Sequence, residues 1–166
     1  IYAPLCHMTW HPDGLFFGWG VLDFAGGTVV HMSAGFAALA GALMIGKRKN
    51  DHHKPSNITY VILGTGMLWF GWFGFNSGSA LAANATAAMA FGTTTIASAS
   101  AMMTWIFFDR INGRKISALG ACIGAVVGLV AITPACGYVS IAESIFIGFI
   151  SAIVSNMAVN WKKLKS

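Results

Sequence analysis

The sequence predicts an all-α membrane protein, a polytopic bundle of transmembrane helices. Of its 166 residues, 56% are hydrophobic and only 9% are charged, a composition outside the usual range of soluble globular domains. The hydrophobic residues form blocks of about 20, the length that a helix needs to cross ~30 Å of hydrocarbon. Five such blocks are visible, at 22–46, 58–80, 86–108, 117–134 and 139–161, and a further, incomplete one ends near the N-terminus.

The first two predicted helices are bounded by capping and helix-breaking residues. Asp23 stands at the start of the first, where a carboxylate can accept hydrogen bonds from unpaired backbone N–H groups. Small residues recur along this helix at spacings of three and four, which allows neighbouring helices to approach closely. A lysine-rich segment and then Pro55 end the helix, and the second one begins near Asn57.

The other three predicted helices have equally clear ends. The third is rich in Ala, Thr and Ser, so we expect it to contact protein more than lipid. It ends at the tight turn D-R-I-N-G-R-K, around Asn112 and Gly113. Pro134 cannot continue the fourth helix, and Gly137 allows the chain to bend there. The fifth ends in W-K-K-L-K, an aromatic and basic anchor at the membrane interface.

The basic residues predict the orientation of the bundle. If the spans alternate in direction, all ten Lys and Arg residues fall on one side, and the other side carries Asp13, Glu143 and no basic residue. Basic connections are typically cytoplasmic, so we expect a protein of the plasma (inner) membrane with these connections inside. The net charge of +5 therefore reports orientation rather than nucleic-acid binding. The basic connections contain Lys47, Arg48, Lys49 and Lys54; Arg110, Arg114 and Lys115; and Lys162, Lys163 and Lys165.

The sequence gives no support for an enzyme, a cofactor or a metal. Its few titratable groups offer no nucleophile and base with an orienting third residue. The cysteines Cys6, Cys122 and Cys136 form no metal-binding spacing. Cys6 and Cys136 both fall on the outer side, where a disulfide is conceivable but is not favoured. The chain begins with Ile1 and shows no signal peptide, which predicts an internal piece of a longer protein.

Two titratable side chains in the first predicted helix require an explanation, because an ionisable residue inside a membrane costs on the order of 2.5–3.5 kcal/mol. Asp23 is explained either as a helix cap or as a negative charge that favours cations at the outer surface. His31 lies about 12 Å deeper along an α-helix axis and turned by about 80°, so both side chains can face one interior space. The alternative for His31 is a packed imidazole bonded to a neighbouring helix.

The second predicted helix carries an aromatic stripe within W-F-G-W-F-G-F-N-S-G-S. Trp69, Trp72, Phe75 and Ser79 stand at spacings of three, three and four, which indicates one helix face. Such a stripe is more often packing than a site. If it lines a passage, Phe75 forms a constriction in it.

The levels of the two helices match when their opposite directions are considered. Ser79 lies at the outer end of the second helix, level with Asp23, and Trp72 lies about 10 Å beneath it. This depth places Trp72 beside His31. Trp10, in the preceding outer segment, can add an indole face to an outer vestibule.

This combination of groups suits a cation that can lose a proton. A hydroxyl with aromatic faces attracts a small cation through cation–π interactions worth roughly 0.5–2 kcal/mol. The apolar throat beneath opposes a bare ion, whereas a neutral molecule can pass and exchange hydrogen bonds with a histidine. Ammonium fits this description, and potassium does not.

At these residues the sequence resembles the ammonium transporter, methylammonium permease and Rhesus family. The resemblance extends over essentially the whole chain, and the presence of Trp10 with Ser79 resembles the ammonium transporter branch. It implies that residues 1–166 are a partial transmembrane domain, from the end of the fourth span through the ninth. The matching strings are H-M-T-W at 7–10, D-F-A-G-G-T-V-V-H at 23–31, G-W-F-G-F-N-S-G-S at 71–79, L-G-A-C at 119–122 and T-P-A-C-G-Y at 133–138.

The resemblance also implies an architecture and an outer site. Members of this family are homotrimers whose protomers have about eleven spans, arranged as an inverted repeat around a narrow pore. Trp10 and Ser79 match the outer recruitment site for ammonium. Asp23 matches the acidic residue that organises this site, mainly by holding backbone carbonyls in place.

Three further residues match the pore of the family. Phe75 corresponds to one member of a stacked phenylalanine gate, Trp72 to a pore-lining indole and His31 to the first of two hydrogen-bonded pore histidines. The second histidine and the second phenylalanine lie in spans that this chain does not contain. The resemblance suggests a cytoplasmic signal-transduction protein as a possible regulator.

We therefore predict transport of ammonium or ammonia through a narrow hydrophobic pore in the lipid bilayer. The alternative is an ammonium-sensing receptor domain coupled to a signalling module, which keeps the binding site but has no flux. A bundle without a pore, in which His31 and the aromatic residues only pack, is the third possibility.

Overall fold

The computed structural model describes residues 2–47 and 55–161. Within these residues the regular secondary structure is entirely helical, and the region 27–32 is a π-helical segment that continues directly into an α-helix. This finding agrees with the predicted all-α class. The α-helices are α1 Tyr2–Trp10, α2 Leu15–Gly18, α3 Ser33–Ile45, α4 Ile58–Gly78, α5 Ala85–Ile111, α6 Ala118–Ile132 and α7 Ile141–Asn160, and the π segment is Gly27–Met32.

Each of the five predicted blocks contains one long helix, but the first block begins too early. Residues 21–26 are not helical, and the helix starts at Gly27 instead of residue 22. Among the described residues, three stretches are long and apolar enough to cross a membrane: Gly27–Ile45, Ile58–Gly78 and Ile141–Asn160. Helix α6 is apolar but has 15 residues, and α5 has 27 residues with many Thr and Ser side chains.

Helix α5 is the centre of the packing and contacts α4, α6 and α7. Small residues allow this close approach: a Cβ added at Gly128 would lie 2.5 Å from the Ala97 carbonyl oxygen. Hydroxyl groups of α5 also form hydrogen bonds to both neighbouring helices. Ser98 donates to the carbonyl of Ala125 on α6 at 2.9 Å, and Ser100 donates to that of Ile145 on α7 at 2.9 Å. The prediction that this Thr- and Ser-rich helix contacts protein is therefore confirmed.

The non-helical segment 21–26 is attached to the turn between α6 and α7. The Phe24 backbone N–H donates to the Pro134 carbonyl at 2.9 Å, and the Phe24 ring packs edge-on against Tyr138. A Cβ on Gly137 would lie 2.2 Å from the Phe24 ring, and one on Gly27 would lie 2.6 Å from the Pro134 ring. These contacts fix the start of the π segment against α6.

Helices α3 and α4 leave most of their apolar side chains uncovered by the described chain. Helix α3 buries none of its residues, and α4 buries only Asn76. Such faces suit hydrocarbon or further transmembrane helices.

The cysteines are not paired within the described residues, where all three thiols are free. Cys136 is fully buried and donates to the Thr133 carbonyl at 3.4 Å. Burial raises the pKa of the Cys136 thiol to about 12, so it remains protonated.

A charged cluster ties the predicted cytoplasmic end of α5 to α7. Asp109 is 8% exposed and accepts hydrogen bonds from Arg114 Nε at 2.8 Å and Asn156 Nδ2 at 2.9 Å. Arg114 Nη2 also donates to Asn156 Oδ1. The Arg114 side chain, which follows the end of α5, is thus held by Asp109 on α5 and Asn156 on α7. Six of the ten predicted cytoplasmic charges, Arg48, Lys49, Lys54, Lys162, Lys163 and Lys165, lie outside the described residues.

Replacing Arg114 by Met tests this cluster. We expect a loss of roughly 3 kcal/mol in stability, because the largely buried carboxylate of Asp109 loses its cationic partner. Thermal unfolding of the purified full-length protein in detergent measures the effect. Arg110→Met, at an exposed neighbouring position, is the matched control and should change stability little. Equal unfolding temperatures for the two variants would contradict the structural importance of the cluster.

Candidate functional site

The carboxylate of Asp23 caps the π segment. Its Oδ1 accepts from the N–H groups of Gly26 at 2.8 Å and Gly27 at 2.7 Å, and its Oδ2 accepts from Thr28 at 2.8 Å and Val29 at 3.3 Å. The first N–H groups of a helix have no partner within the helix, and the positive end of its dipole favours an anion. A charge that is only 6% exposed is therefore stabilised by four backbone donors.

Gly26 makes this capping geometry possible. Its φ of +106° lies in the left-handed region, which other residues rarely adopt. Its carbonyl accepts from Val30 N at 2.8 Å and His31 N at 3.2 Å, and the second of these is the i to i+5 bond of a π-helix. The predicted spacing from Asp23 to His31 along one α-helix is therefore wrong. A break followed by a π turn sets the direction of the imidazole.

Trp10 is linked to Asp23 through the backbone. Its indole Nε1 donates to the Asp23 carbonyl oxygen at 2.8 Å. The ring also lies over Gly26, where an added Cβ would approach it to 3.5 Å. Trp10 remains 40% exposed, so part of its ring is accessible beside the capped turn.

His31, Trp72 and Phe75 form a ring cluster between the π segment and α4. The imidazole stacks on Trp72 with ring centroids 5.2 Å apart and on Phe75 at 5.6 Å, and the latter two rings are 5.5 Å apart. The structure thus places Trp72 beside His31, as the helix levels predicted. His31 Nε2 is buried and has no hydrogen-bond partner within the described chain. An orphaned imidazole nitrogen of this kind is free to bond a small molecule or another helix.

Thr133 fixes the orientation of the Trp72 indole. This fully buried hydroxyl accepts from Trp72 Nε1 at 3.0 Å and donates to the Leu129 carbonyl at 2.7 Å. This role of Thr133 was not predicted from the sequence, where T-P-A-C-G-Y indicated a bend and a resemblance to the family. The available signal was a hydroxyl directly before Pro134, at the end of an apolar helix.

Asn76 was also missed and anchors α4 next to the ring cluster. It is fully buried, and its Nδ2 donates to Thr94 Oγ1 at 3.0 Å. The Thr94 hydroxyl in turn donates to the Ala90 carbonyl at 2.6 Å. This polar contact connects α4 to the α5 core at the residue after Phe75.

Two further residues of the predicted stripe, Ser79 and Trp69, have contacts that the helix spacing did not predict. The Ser79 hydroxyl donates to the Phe75 carbonyl at 2.8 Å, and within residues 2–47 and 55–161 it has no hydrogen bond to Trp10 or Asp23. Trp69 does not share the face of Trp72, because it lines a separate groove of about 360 Å³ between α4, α5 and α6. The predicted single stripe is wrong for Trp69, since two steps of three residues place it about 120° around the helix from Phe75.

Comparison with known proteins identifies the family of this chain. The sequence profile described as the Ammonium Transporter Family matches residues 1–166. The chain belongs to the ammonium transporter family. It is 48% identical over 165 residues to an ammonium transporter of Aquifex aeolicus and 47% identical over 163 residues to a putative ammonium transporter of Methanothermobacter thermautotrophicus.

Solved structures of this family share the fold. Candida albicans Mep2 is 42% identical and superposes with a TM-score of 0.91 over 99% of this chain and 38% of its own. A structure described as a sensor Amt protein is 35% identical, with a TM-score of 0.86 over 96% of this chain and 43% of its own. The Aquifex and Methanothermobacter matches cover 99% and 98% of this chain but only 39% and 40% of those relatives. The family and its fold establish a polytopic helical membrane protein.

Replacing Thr133 by Val tests the anchoring of the Trp72 indole. The change keeps the side-chain shape but leaves the Trp72 N–H without its acceptor, which we expect to cost about 1–3 kcal/mol. Thermal unfolding of the full-length protein measures the loss, and Thr133→Ser, which retains the hydroxyl, should be much milder. In a Trp72→Phe background the Val substitution should cost less, since the donor is absent. An undiminished cost in that background would show that Thr133 acts independently of Trp72.

Proposed function

We propose that this chain is the central part of an ammonium transporter, in which a passage for ammonium or ammonia runs between the π segment and α4. The observation that carries the proposal is the ring cluster, where a buried His31 Nε2 with no hydrogen-bond partner among the described residues lies against two aromatic faces. The cluster lies beneath the capped turn that holds Trp10. The relatives described as ammonium transporters support the substrate.

Recruitment takes place at the outer turn. The partly exposed indole of Trp10 offers a π face to ammonium, worth roughly 0.5–2 kcal/mol. Asp23 acts through its capping bonds rather than as a free ligand, because its carboxylate is already bonded to four N–H groups and is almost fully buried. Ser79 contributes a hydroxyl at the outer end of α4 once a substrate competes with its bond to the Phe75 carbonyl.

Passage beyond this turn favours a neutral species. Phe75 is 38% exposed and forms the constriction, where an apolar ring provides no ligand for a bare ion. His31 then exchanges hydrogen bonds, or a proton, with the passing molecule through Nε2. Stacking on Trp72 keeps the imidazole in one plane, and Thr133 keeps that indole in place.

The whole protein provides the rest of the proposed pathway. We place it in the plasma (inner) membrane as a homotrimer, with the basic connections in the cytoplasm and the five predicted blocks as spans. The second pore histidine and the second gate phenylalanine belong to further spans of the same polypeptide. A cytoplasmic signal-transduction protein is proposed as a regulator on the basic side.

Ammonium sensing remains the second candidate and would use the same residues. A sensor Amt protein is among the similar structures, but at 35% identity, against 42% for Mep2, this likeness does not favour sensing over transport. A signalling domain following the transmembrane part in the full-length protein, together with no measurable flux, would support sensing over transport.

Replacing His31 by Ala tests the transport proposal. We expect ammonium-evoked current to fall roughly tenfold or more, which corresponds to losing one well-made hydrogen bond of about 1.4 kcal/mol. The current is measured with the full-length protein in proteoliposomes on a supported membrane. The matched pair Trp72→Phe and Trp69→Phe is the control, and only the first should impair transport, because Trp69 lies away from His31. Unaltered flux and selectivity in His31→Ala would remove this residue from the pathway.

A further inference from the structure

His7 and His11 form an imidazole pair at the outer end of α1. They are separated by one helical turn, and the His11 backbone N–H donates to the His7 carbonyl at 3.1 Å. Their rings are stacked, with centroids 4.3 Å apart and an interplanar angle of 14°. Both residues are exposed, and they line a groove of about 490 Å³ that also contains Trp10. Neither histidine has a part in the proposed transport pathway.

Two histidines at positions i and i+4 on one helix face can bind one metal ion, as they do in zinc-binding helices. Imidazole suits Zn²⁺, Ni²⁺ and Cu²⁺, which prefer nitrogen ligands over the purely oxygen sites of Mg²⁺ or Ca²⁺. The stacked arrangement already places both rings on the same side of the turn. Because the stacked rings direct their in-plane nitrogen lone pairs nearly parallel to each other, both exposed side chains rotate out of the stack when they bind one metal ion.

Asp13 supplies the carboxylate that commonly orients a metal-binding histidine. Its Oδ2 lies 3.8 Å from His11 Nδ1, and its side chain is 90% exposed and able to move closer. His11 Nδ1 at present accepts a hydrogen bond from the Asp13 backbone N–H at 3.1 Å. Metal binding through Nε2 requires the ring proton to move to Nδ1, where the carboxylate can accept it.

We propose that His7 and His11 bind a divalent transition-metal ion, with Zn²⁺ as the representative, at the outer rim next to Trp10. Within the described part of the chain no three His, Cys, Asp or Glu side chains converge on a metal position, so water completes the coordination. A bound dication in the groove of Trp10 repels ammonium as it approaches the outer turn. Only this repulsion of ammonium rests on the proposed function. Metal binding by His7 and His11 does not depend on it.

Zinc titration of the purified full-length protein by isothermal calorimetry tests the site. We expect the double variant His7→Gln/His11→Gln to lose one zinc ion per chain relative to the unaltered protein. Asp13→Asn should weaken binding by about 10–100-fold, the usual effect of removing an orienting carboxylate. The matched control His52→Gln/His53→Gln removes two histidines elsewhere and should retain the outer-site zinc. Equal stoichiometry and affinity in the His7/His11 double variant would overturn the proposal, provided that thermal unfolding shows all proteins to be folded.

Ammonium flux with external zinc tests the position of the site. We expect zinc to inhibit the unaltered protein and to have little effect on the His7→Gln/His11→Gln variant. Zinc bound by calorimetry without any change in flux would support the site but overturn its placement beside the ammonium entrance. Absence of flux in the zinc-free protein would instead contradict the proposed function, while the calorimetric result would stand.

Discussion

The capping of the π segment by Asp23 is the interaction on which the candidate site depends. A carboxylate buried to this degree is stable only because four backbone N–H groups and the dipole of the following helix face it. The same bonds allow the chain to change abruptly from a non-helical segment to a π turn at Gly26. The direction of His31 follows from that turn, and so does its contact with the rings of α4.

The remainder of the fold provides rigid attachment points for this turn. The segment before the π helix is bonded to Pro134, while Thr133, the preceding residue, holds the Trp72 indole. The end of α6 therefore positions both sides of the ring cluster. Helix α5 supports this arrangement through Asn76 on α4 and through close, glycine-mediated contacts with α6. The two sides of the proposed passage thus share one packed scaffold.

The long helices could be predicted from sequence because each combines an apolar block with local end signals. Asn57 caps the start of α4, Ser140 caps the start of α7, and Pro134 follows the end of α6. The break at 21–26 could not be predicted in the same way, since D-F-A-G-G-T is compatible with a helix. In the structure the break is set by the Asp23 cap, the positive φ of Gly26 and the bond from Phe24 to Pro134. Helix rise placed Trp72 beside His31, as the structure shows, although the prediction assumed one α-helix from Asp23 where the structure has a break and a π turn. The contacts of Trp69 and Thr133 depend on helix rotation and on neighbours distant in sequence, neither of which a spacing pattern contains.

Asp23 has two competing roles, and the structure favours the cap over an attractive charge for cations. The two roles predict different effects for Asp23→Asn, in which a neutral amide of the same shape replaces the carboxylate. The most direct measurement compares Asp23→Asn with the unaltered full-length protein for thermal unfolding and for ammonium flux over a range of concentrations. The capping role predicts a lower unfolding temperature together with a reduced maximal flux, because an amide oxygen cannot accept from all four N–H groups and its NH₂ opposes them. Unchanged stability with a flux deficit that high ammonium fully restores would contradict it.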